Sequence, residues 1–308
     1  MTARYHRGIA TLTFLALAGC RDSAQRPPEP AETRAGTSVA GGAPDAFYLT
    51  ELTFVSFRRV PRIVHLRLEN RVARDQLQLA YRGWGTEGGV WTELVSVRDS
   101  LPVPRAAWRV VPAGPLRVRV DEGATLSTLR LDLPNGVLRI DSALEIAAWT
   151  SSTGQVESLA MGQVQDSAGT EPGLLVARQR ARPASEPPLA AVAQSFLVTD
   201  TLGNGLLLMR DRLEPDAPAT AWTWLEGLDS EWIDAAVLTL TTPAGSSGRW
   251  SLELPDAGIF AELQGAGGGV EQFPPEGPGF RLYRVEGALV MGAERRPVAG
   301  VVVEERGP

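Results

Sequence analysis

The sequence predicts an all-β protein, built as two consecutive antiparallel halves, each a β-barrel or β-sandwich, with little helix. Three observations carry that prediction. Apolar and polar residues alternate with period two over long stretches, as half-buried strands require. The 32 glycines and 23 prolines are spread along the body, where they break the chain into short runs. No long segment shows the apolar spacing of an amphipathic helix; only stretches near Ala190 and Ser230 have room for one or two helical turns.

The chain opens with a different kind of segment. Arg4 and Arg7 supply a positive start, Ile9 to Ala18 an apolar stretch, and Ala18 and Gly19 a small-residue exit before Cys20. That is the layout of a secretory signal peptide, 1–19. The apolar run is shorter than the roughly 20 residues a membrane-spanning helix needs. "Leu17-Ala18-Gly19-Cys20" resembles the lipobox of bacterial lipoproteins, in which the final cysteine is lipidated and becomes the new N-terminus. The resemblance implies a membrane-anchored protein of the cell envelope, periplasmic or surface-exposed, with Cys20 as its attachment point. Two or more acyl chains hold a membrane stably, at about 0.8 kcal/mol per buried CH₂. Cys20 is the single cysteine of the sequence, so no disulfide can form within the chain and the fold must rest on its β core. Residues 20–46 are rich in Pro, Ala, Gly and Ser and poor in apolar anchors. Such a segment cannot bury enough surface to offset its ordering entropy, and it reads as a disordered tether.

The first β domain is placed at 47–182. "FYLTELTFVSF" opens it. In "RIVHLRLEN", Ile63, His65 and Arg67 share one face, and Val64, Leu66 and Leu68 the other. "PLRVRVDE", "STLRLDL" and "VLRIDS" alternate in the same way. Asn135-Gly136, between two alternating runs, signals a hairpin because type I′ turns need positive φ. The prolines of "RQRARPASEPPLAA" (Pro183, Pro187, Pro188) interrupt strand pairing and mark the boundary to a second β domain, 183–308. Asn204-Gly205 is a second hairpin signal.

Composition excludes several functions. The net charge of −6 lacks the basic field of a general nucleic-acid binder. All 30 cationic residues are arginine, scattered along the chain, which suits a coding bias better than a set of anion clamps. A structural zinc site lacks ligands, and no calcium loop is visible; no cofactor is expected. "GWGTEG" (Gly83, Gly85, Gly88) matches G-x-G-x-x-G in letters, but the alternating "VWTELVSV" follows it where a dinucleotide site needs a helix. It reads as a glycine-rich hairpin loop. His6 lies in the leader, so His65 is the body's one imidazole and the one base available to a serine triad. No G-x-S-x-G elbow accompanies it. The plainer expectation for His65 is a rim position on a partly exposed strand.

Two groups of residues remain as site candidates. Asp229, Glu231 and Asp234 lie close in "GLDSEWIDAAV"; in an extended segment Asp229 and Glu231 share a face, and their repulsion could raise one pKa for acid catalysis. Solvated loop charges are the plainer reading. Trp222 and Trp224 point the same way on a strand, and with Trp250 they are candidates to line an apolar ligand cavity, or to fill a core.

The last third carries a family resemblance. "SFLVTDTLGNGLLLMRDR" resembles the strand–turn–strand that opens the second barrel of lipocalin-like tandem β proteins related to bacterial carotenoid hydratases. "PAGSSGRWSLELPDAGIFAELQG", which holds Trp250, and the closing "YRVEGALVMGAERRPVAGVVVEERG" resemble a later strand pair and the terminal hairpin. The resemblance covers about 195–308 and implies a lipocalin-like fold. The His–Glu–Trp or acidic motif of the first barrel and the His motif between barrels are missing, so no catalytic residue is carried over. The expected function is a lipid-anchored envelope protein that binds a small apolar ligand without catalysis. The alternatives are a carboxylate-dependent enzyme of the carotenoid hydratase type and an envelope scaffold that binds another protein through a sheet edge.

Overall fold

The computed structural model describes residues 46–73, 76–102, 112–120, 126–150, 156–183, 192–211, 219–224, 231–242, 248–255, 257–272 and 279–306. The leader with Cys20, the tether, Asp229 and the stretches around Ala190 and Ser230 lie outside the described residues.

All regular structure within them is β. The first half comprises β1 (Ala46–Ser56), β2 (Ile63–Ala73), β3 (Gln76–Glu87), β4 (Val90–Pro102), β5 (Leu116–Val120), β6 (Leu126–Leu133), β7 (Gly136–Thr150), β8 (Val156–Asp166) and β9 (Gly169–Pro183). The second comprises β10 (Val192–Thr199), β11 (Gly205–Asp211), β12 (Ala219–Trp224), β13 (Glu231–Thr242), β14 (Arg249–Leu254), β15 (Ile259–Gln272), β16 (Gly279–Met291) and β17 (Glu294–Arg306). The first half is one antiparallel sheet in the order β4-β3-β2-β1-β9-β8-β7-β6-β5; the second closes into an eight-stranded barrel through β10 and β17. The all-β, two-half architecture expected from the sequence is present.

Each half has its own core. In the first, Leu52 and Phe54 of β1 meet Val64, Leu66 and Leu68 of β2, Tyr81 of β3, Leu129 and Leu131 of β6, and Val164 of β8. These are alternate residues of their strands, so one face of the sheet curls onto itself. In the second, Phe196, Leu206, Leu208, Trp250, Tyr283 and Val302 fill the barrel, with the Phe196 and Trp250 rings edge to face at 5.8 Å.

The turns show why the registers hold. Gly88 and Gly89, at φ 56° and 84°, join β3 to β4 as a two-residue turn. Of "GWGTEG", only Gly88 falls in this turn; Gly83 and Gly85 lie on β3, so the expected hairpin is present but its loop is shorter than the glycine-rich stretch. Leu133 pairs with Gly136 across Pro134-Asn135, one residue earlier than the Asn-Gly signal implied; Gly136, at φ 135°, opens β7. Between β10 and β11 the turn is organised by Asp200 rather than by Asn204-Gly205. Its Oδ1 accepts from the amides of Leu202 at 2.8 Å and Asn204 at 2.9 Å, and Gly203 takes the positive φ of 93°.

A third apolar layer joins the halves. Val55, Ile63, Trp84, Leu174 and Val176 from the sheet pack with Leu197, Leu207, Met209, Phe280, Leu282, Val301 and Val303 from the barrel. Several strands therefore bury both faces. "GLLLMRD" shows it in sequence: Leu206 and Leu208 point into the barrel, Leu207 and Met209 into the seam between halves. Such strands are continuous apolar runs rather than alternating ones.

Candidate functional site

The second face of β1, β2 and β9 carries more than apolar residues. Strand pairing sets Glu51 of β1 directly between Arg67 of β2 and Arg178 of β9. Thr53 of β1 stands opposite His65 of β2, and His65 opposite Trp84 of β3. From the barrel, β17 brings Glu305 and β16 brings Phe280, opposite each other. All of these side chains are buried.

Arg67 is the hub. Its Nη1 lies 3.1 Å from Glu51 Oε1 and 3.3 Å from Glu305 Oε1, and its Nε lies 2.6 Å from Glu69 Oε1. One nitrogen thus bridges carboxyl groups from the two halves. The guanidinium also lies over the Phe280 ring, 5.4 Å from its centroid, a cation–π contact. Arg178 reaches the barrel too, donating from Nη1 to Ser195 Oγ at 3.1 Å, and its Nε lies 3.6 Å from Glu157 Oε2. A third polar tie across the seam runs from Arg82 Nη1 to the Gln272 side chain.

His65 is not at a rim, as the alternating pattern suggested, but 1% exposed. The face it shares with Ile63 and Arg67 is covered by the second half. Its Nδ1 lies 3.0 Å from Thr53 Oγ1, while Nε2 is buried without a hydrogen-bond partner. Its ring sits 6.3 Å from that of Trp84 and 6.1 Å from that of Phe280.

Burial and neighbouring charge set the protonation states. Burial, with the Arg67 and Arg178 cations against the opposing pull of Glu51, lowers His65 to about 4, so the ring is neutral at pH 7. Burial and the adjacent Glu51 carboxylate raise Glu305 to about 8, against Arg67 and Arg178. Burial alone would raise Glu51 as well. Arg67, His65 and Arg178, with the hydrogen bond from Glu305, overcome it and hold Glu51 below the ordinary glutamate range. Glu305 therefore keeps its proton near neutrality while Glu51, on the other side of the seam, is ionised. Burial would likewise depress Arg67, but Glu51, Glu69 and Glu305 keep it firmly protonated.

The candidates from the sequence are placed apart from one another. Trp222 and Trp224 lie on one side of β12, both half-buried. Trp222 borders the seam, where its ring lies parallel to that of Trp149 from the first half, 9° apart in plane and 6.1 Å between centroids. Trp250 points the other way, into the barrel core. These three do not form one pocket wall. Glu231 and Asp234 fall on β13, of which the backbone alone is described. No group of three or more His, Cys, Asp or Glu residues fit to hold a metal occurs among the described residues. An open cleft of about 1760 Å³ lies elsewhere, bordered by Arg58, Asp200, Arg249, Glu262, Glu286 and Arg295. It mixes cations and carboxylates, and none of the ionisable residues of the seam borders it.

Sequence reasoning missed the group Glu51, Arg67, Arg178 and Glu305. The signal was there: "TELTFVSF" and "VVVEER" set a charged residue within runs apolar on both faces. A charge on a two-faced strand has no route to water and must find a partner.

The two curled halves and the site between them define a class of architecture, the two-half lipocalin-like β fold, and solved structures of that class match this chain. Kievitone hydratase from Nectria haematococca superposes with a TM-score of 0.54 at 10% identity, covering 86% of this chain and 89% of that one. A Nitrosomonas europaea protein provisionally named AttH does so with a TM-score of 0.54 at 7% identity, covering 88% of this chain and 98% of that one. No protein-family model and no curated protein sequence matches the chain.

Proposed function

We propose that the seam between the halves is an acid–base site for a small, largely apolar, uncharged substrate, and that its chemistry is the addition or loss of water. The observation that carries this reading is the buried Glu51–Glu305 pair. It stores a proton near pH 7, beside a neutral His65 whose Nε2 has no partner. An acid that stays protonated at neutral pH and a neutral imidazole are what proton transfer to and from a carbon–oxygen centre requires. Trp84 and Phe280 supply the apolar surroundings. In this reading Glu305 donates, His65 Nε2 accepts from or orients water, and Thr53 fixes the ring. Arg67 and Arg178 are paired with carboxylates, which argues against an anionic substrate. The likeness of fold to a protein named a hydratase supports the same choice.

A second reading, holding an apolar ligand without turnover, is favoured by the Trp149–Trp222 ring pair, one ring from each half. In both readings the body is tethered through residues 20–46 to a lipidated Cys20 at an envelope membrane. A Cys20→Ser variant that stayed in the membrane fraction with an unchanged mass would contradict the anchor.

The test of function starts with native mass spectrometry of the detergent-solubilised full chain, to find a co-purified small molecule. The molecule is then incubated with the protein and with Glu305→Gln. A gain or loss of the mass of one water, slowed about 100-fold or more in the variant, supports the acid–base site. A molecule bound but unchanged supports the second reading, and the absence of any bound molecule counts against it.

A further inference from the structure

His65 and its unpartnered Nε2 are buried, so a molecule that uses them needs a way in. The sheet order shows which side of the seam is nearest. His65 on β2 stands beside Trp84 on β3, whereas Trp149, which meets Trp222 of the barrel, lies on β7, four strands from β2. Two residues before Trp84 and on the same face, Arg82 bonds the side chain of Gln272 from β15. Gln272 stands opposite Phe280, whose ring meets that of Trp84 edge to face at 5.0 Å. The Arg82–Gln272 bond is thus half-buried, the Trp84–Phe280 pair lies next to it, and both of those rings neighbour His65.

We infer that the tail of β15, residues 270–272, is a gate to the seam: hinged at residues 265–269, it is held shut by the Arg82–Gln272 bond and opens to let a small uncharged molecule reach His65. The tail is the cheapest part of the strand to detach. Pairing with β14 ends at Gly265, whose amide bonds the Gly248 carbonyl; beyond it, among the described residues, β15 has β16 as its one strand partner. The hinge is the run Gly265-Ala266-Gly267-Gly268-Gly269. Gly265 pairs with Val285 and Gly269 with Tyr283, so three residues bulge opposite the single Arg284. Gly267 takes a φ of 103°, which glycine adopts without strain. Arg284 catches the bulge, donating from Nε to the Ala266 carbonyl at 2.7 Å, and so anchors the hinge to β16 while the tail moves. Opening gives up the bond from Arg82, the packing of Val270 on the seam layer, and the pairing of the tail with residues 280–282. β16 stays paired to β17, so Phe280 and Glu305 keep their places. The gate rests on the reading of the seam as a binding site, and its test reads access alone.

His65 is the body's one imidazole and is neutral at pH 7, so its modification by diethyl pyrocarbonate, a small uncharged acylating reagent, measures access. Rates are read at pH 7 on the full-length protein by peptide mass spectrometry, which separates His65 from His6. Arg82→Met and Gln272→Met each remove the bond and should speed modification of His65 about tenfold, the weight of one charge-assisted hydrogen bond. The double variant should be no faster than either single one, since both remove the same bond. Gly268 lies outside the left-handed region and has open space where a Cβ would stand, so Gly268→Ala stiffens the hinge without a clash and should slow modification about threefold. Leu131→Ala, in the core of the first half, lowers overall stability and should leave the rate unchanged. Unchanged rates in both methionine variants, a Gly268→Ala rate at or above that of the wild type, or a rise in Leu131→Ala equal to theirs would overturn the gate. Should Arg82→Met not fold, Gln272→Met decides in its place. Access is read whether or not a substrate gains or loses water, so the gate and the acid–base site fail separately.

Discussion

Replacing Glu305 by glutamine should flatten the pH dependence of stability between pH 6.5 and 8. In the unfolded chain Glu305 loses its proton near its ordinary 4.5, while in the fold it keeps it to about 8. Between those values the folded chain binds the extra proton. The corresponding stability is complete below about 4.5 and is lost as pH rises through about 8. His65 acts in the opposite sense. Its ordinary 6.5 is lowered to about 4, so its contribution is present above 6.5 and lost as pH falls through about 4. The two oppose each other from 4.5 to 6.5, and above 6.5 Glu305 acts alone. One proton corresponds to about 1.4 kcal/mol per pH unit, hence about 2 kcal/mol from pH 6.5 to 8. At about 2–4 °C per kcal/mol for a large domain, Tm should fall by about 4–8 °C. Differential scanning calorimetry at fixed ionic strength measures this directly. A wild-type Tm that is flat or rising over that interval, or a Glu305→Gln slope equal to that of the wild type, would show that Glu305 does not keep its proton in the fold.

Other substitutions probe the separate layers. Arg67→Met leaves Glu51 and Glu305 facing each other without their cation, and chemical denaturation should show a loss of about 3–5 kcal/mol. Trp250→Ala empties the barrel core on the side away from the seam, and should cost about 3–5 kcal/mol while leaving the Glu305 titration in place. Gly173→Ala sets a methyl group against the Val55 carbonyl and the Phe54 ring, and should lower stability by about 1–3 kcal/mol, seen as a lower denaturant midpoint. Imidazole NMR signals of His65 should remain those of the neutral ring until pH approaches about 4; titration near 6.5 would contradict its burial among cations.

Much of the fold was legible because local chemistry and tertiary pairing agree. "RIVHLRLEN" alternates, and Val64, Leu66 and Leu68 do fill the first core. The hairpins at Gly88-Gly89 and before Gly136 follow from residues that accept positive φ. The polar site was hidden by the same alternation. Period two says that Ile63, His65 and Arg67 share a face, but not whether that face meets water or a second half of the protein. A polar face reads as solvent-exposed by default, so His65 is expected at a rim, and Arg67, placed on the same face, is given no role. Doubly buried strands were visible as unbroken apolar runs in "GLLLMRD" and "GVVVEER", yet which charged strand would cover them is a matter of long-range pairing. Glu51 and Glu305 lie at opposite ends of the body, and nothing local in either segment points to the other. The tryptophans misled for a related reason: spacing puts Trp222 and Trp224 on one side of β12, but Trp250 on β14 faces the opposite way.

Carboxyl ¹³C NMR of glutamate-labelled protein measures most directly the proton that Glu305 keeps in the buried seam near neutral pH. Glu305, assigned by its loss in Glu305→Gln, should titrate near 8, with Glu51 below the ordinary glutamate range. Two carboxyl groups that both titrate near 4.5 would contradict the proton held by Glu305, and with it the acid–base site.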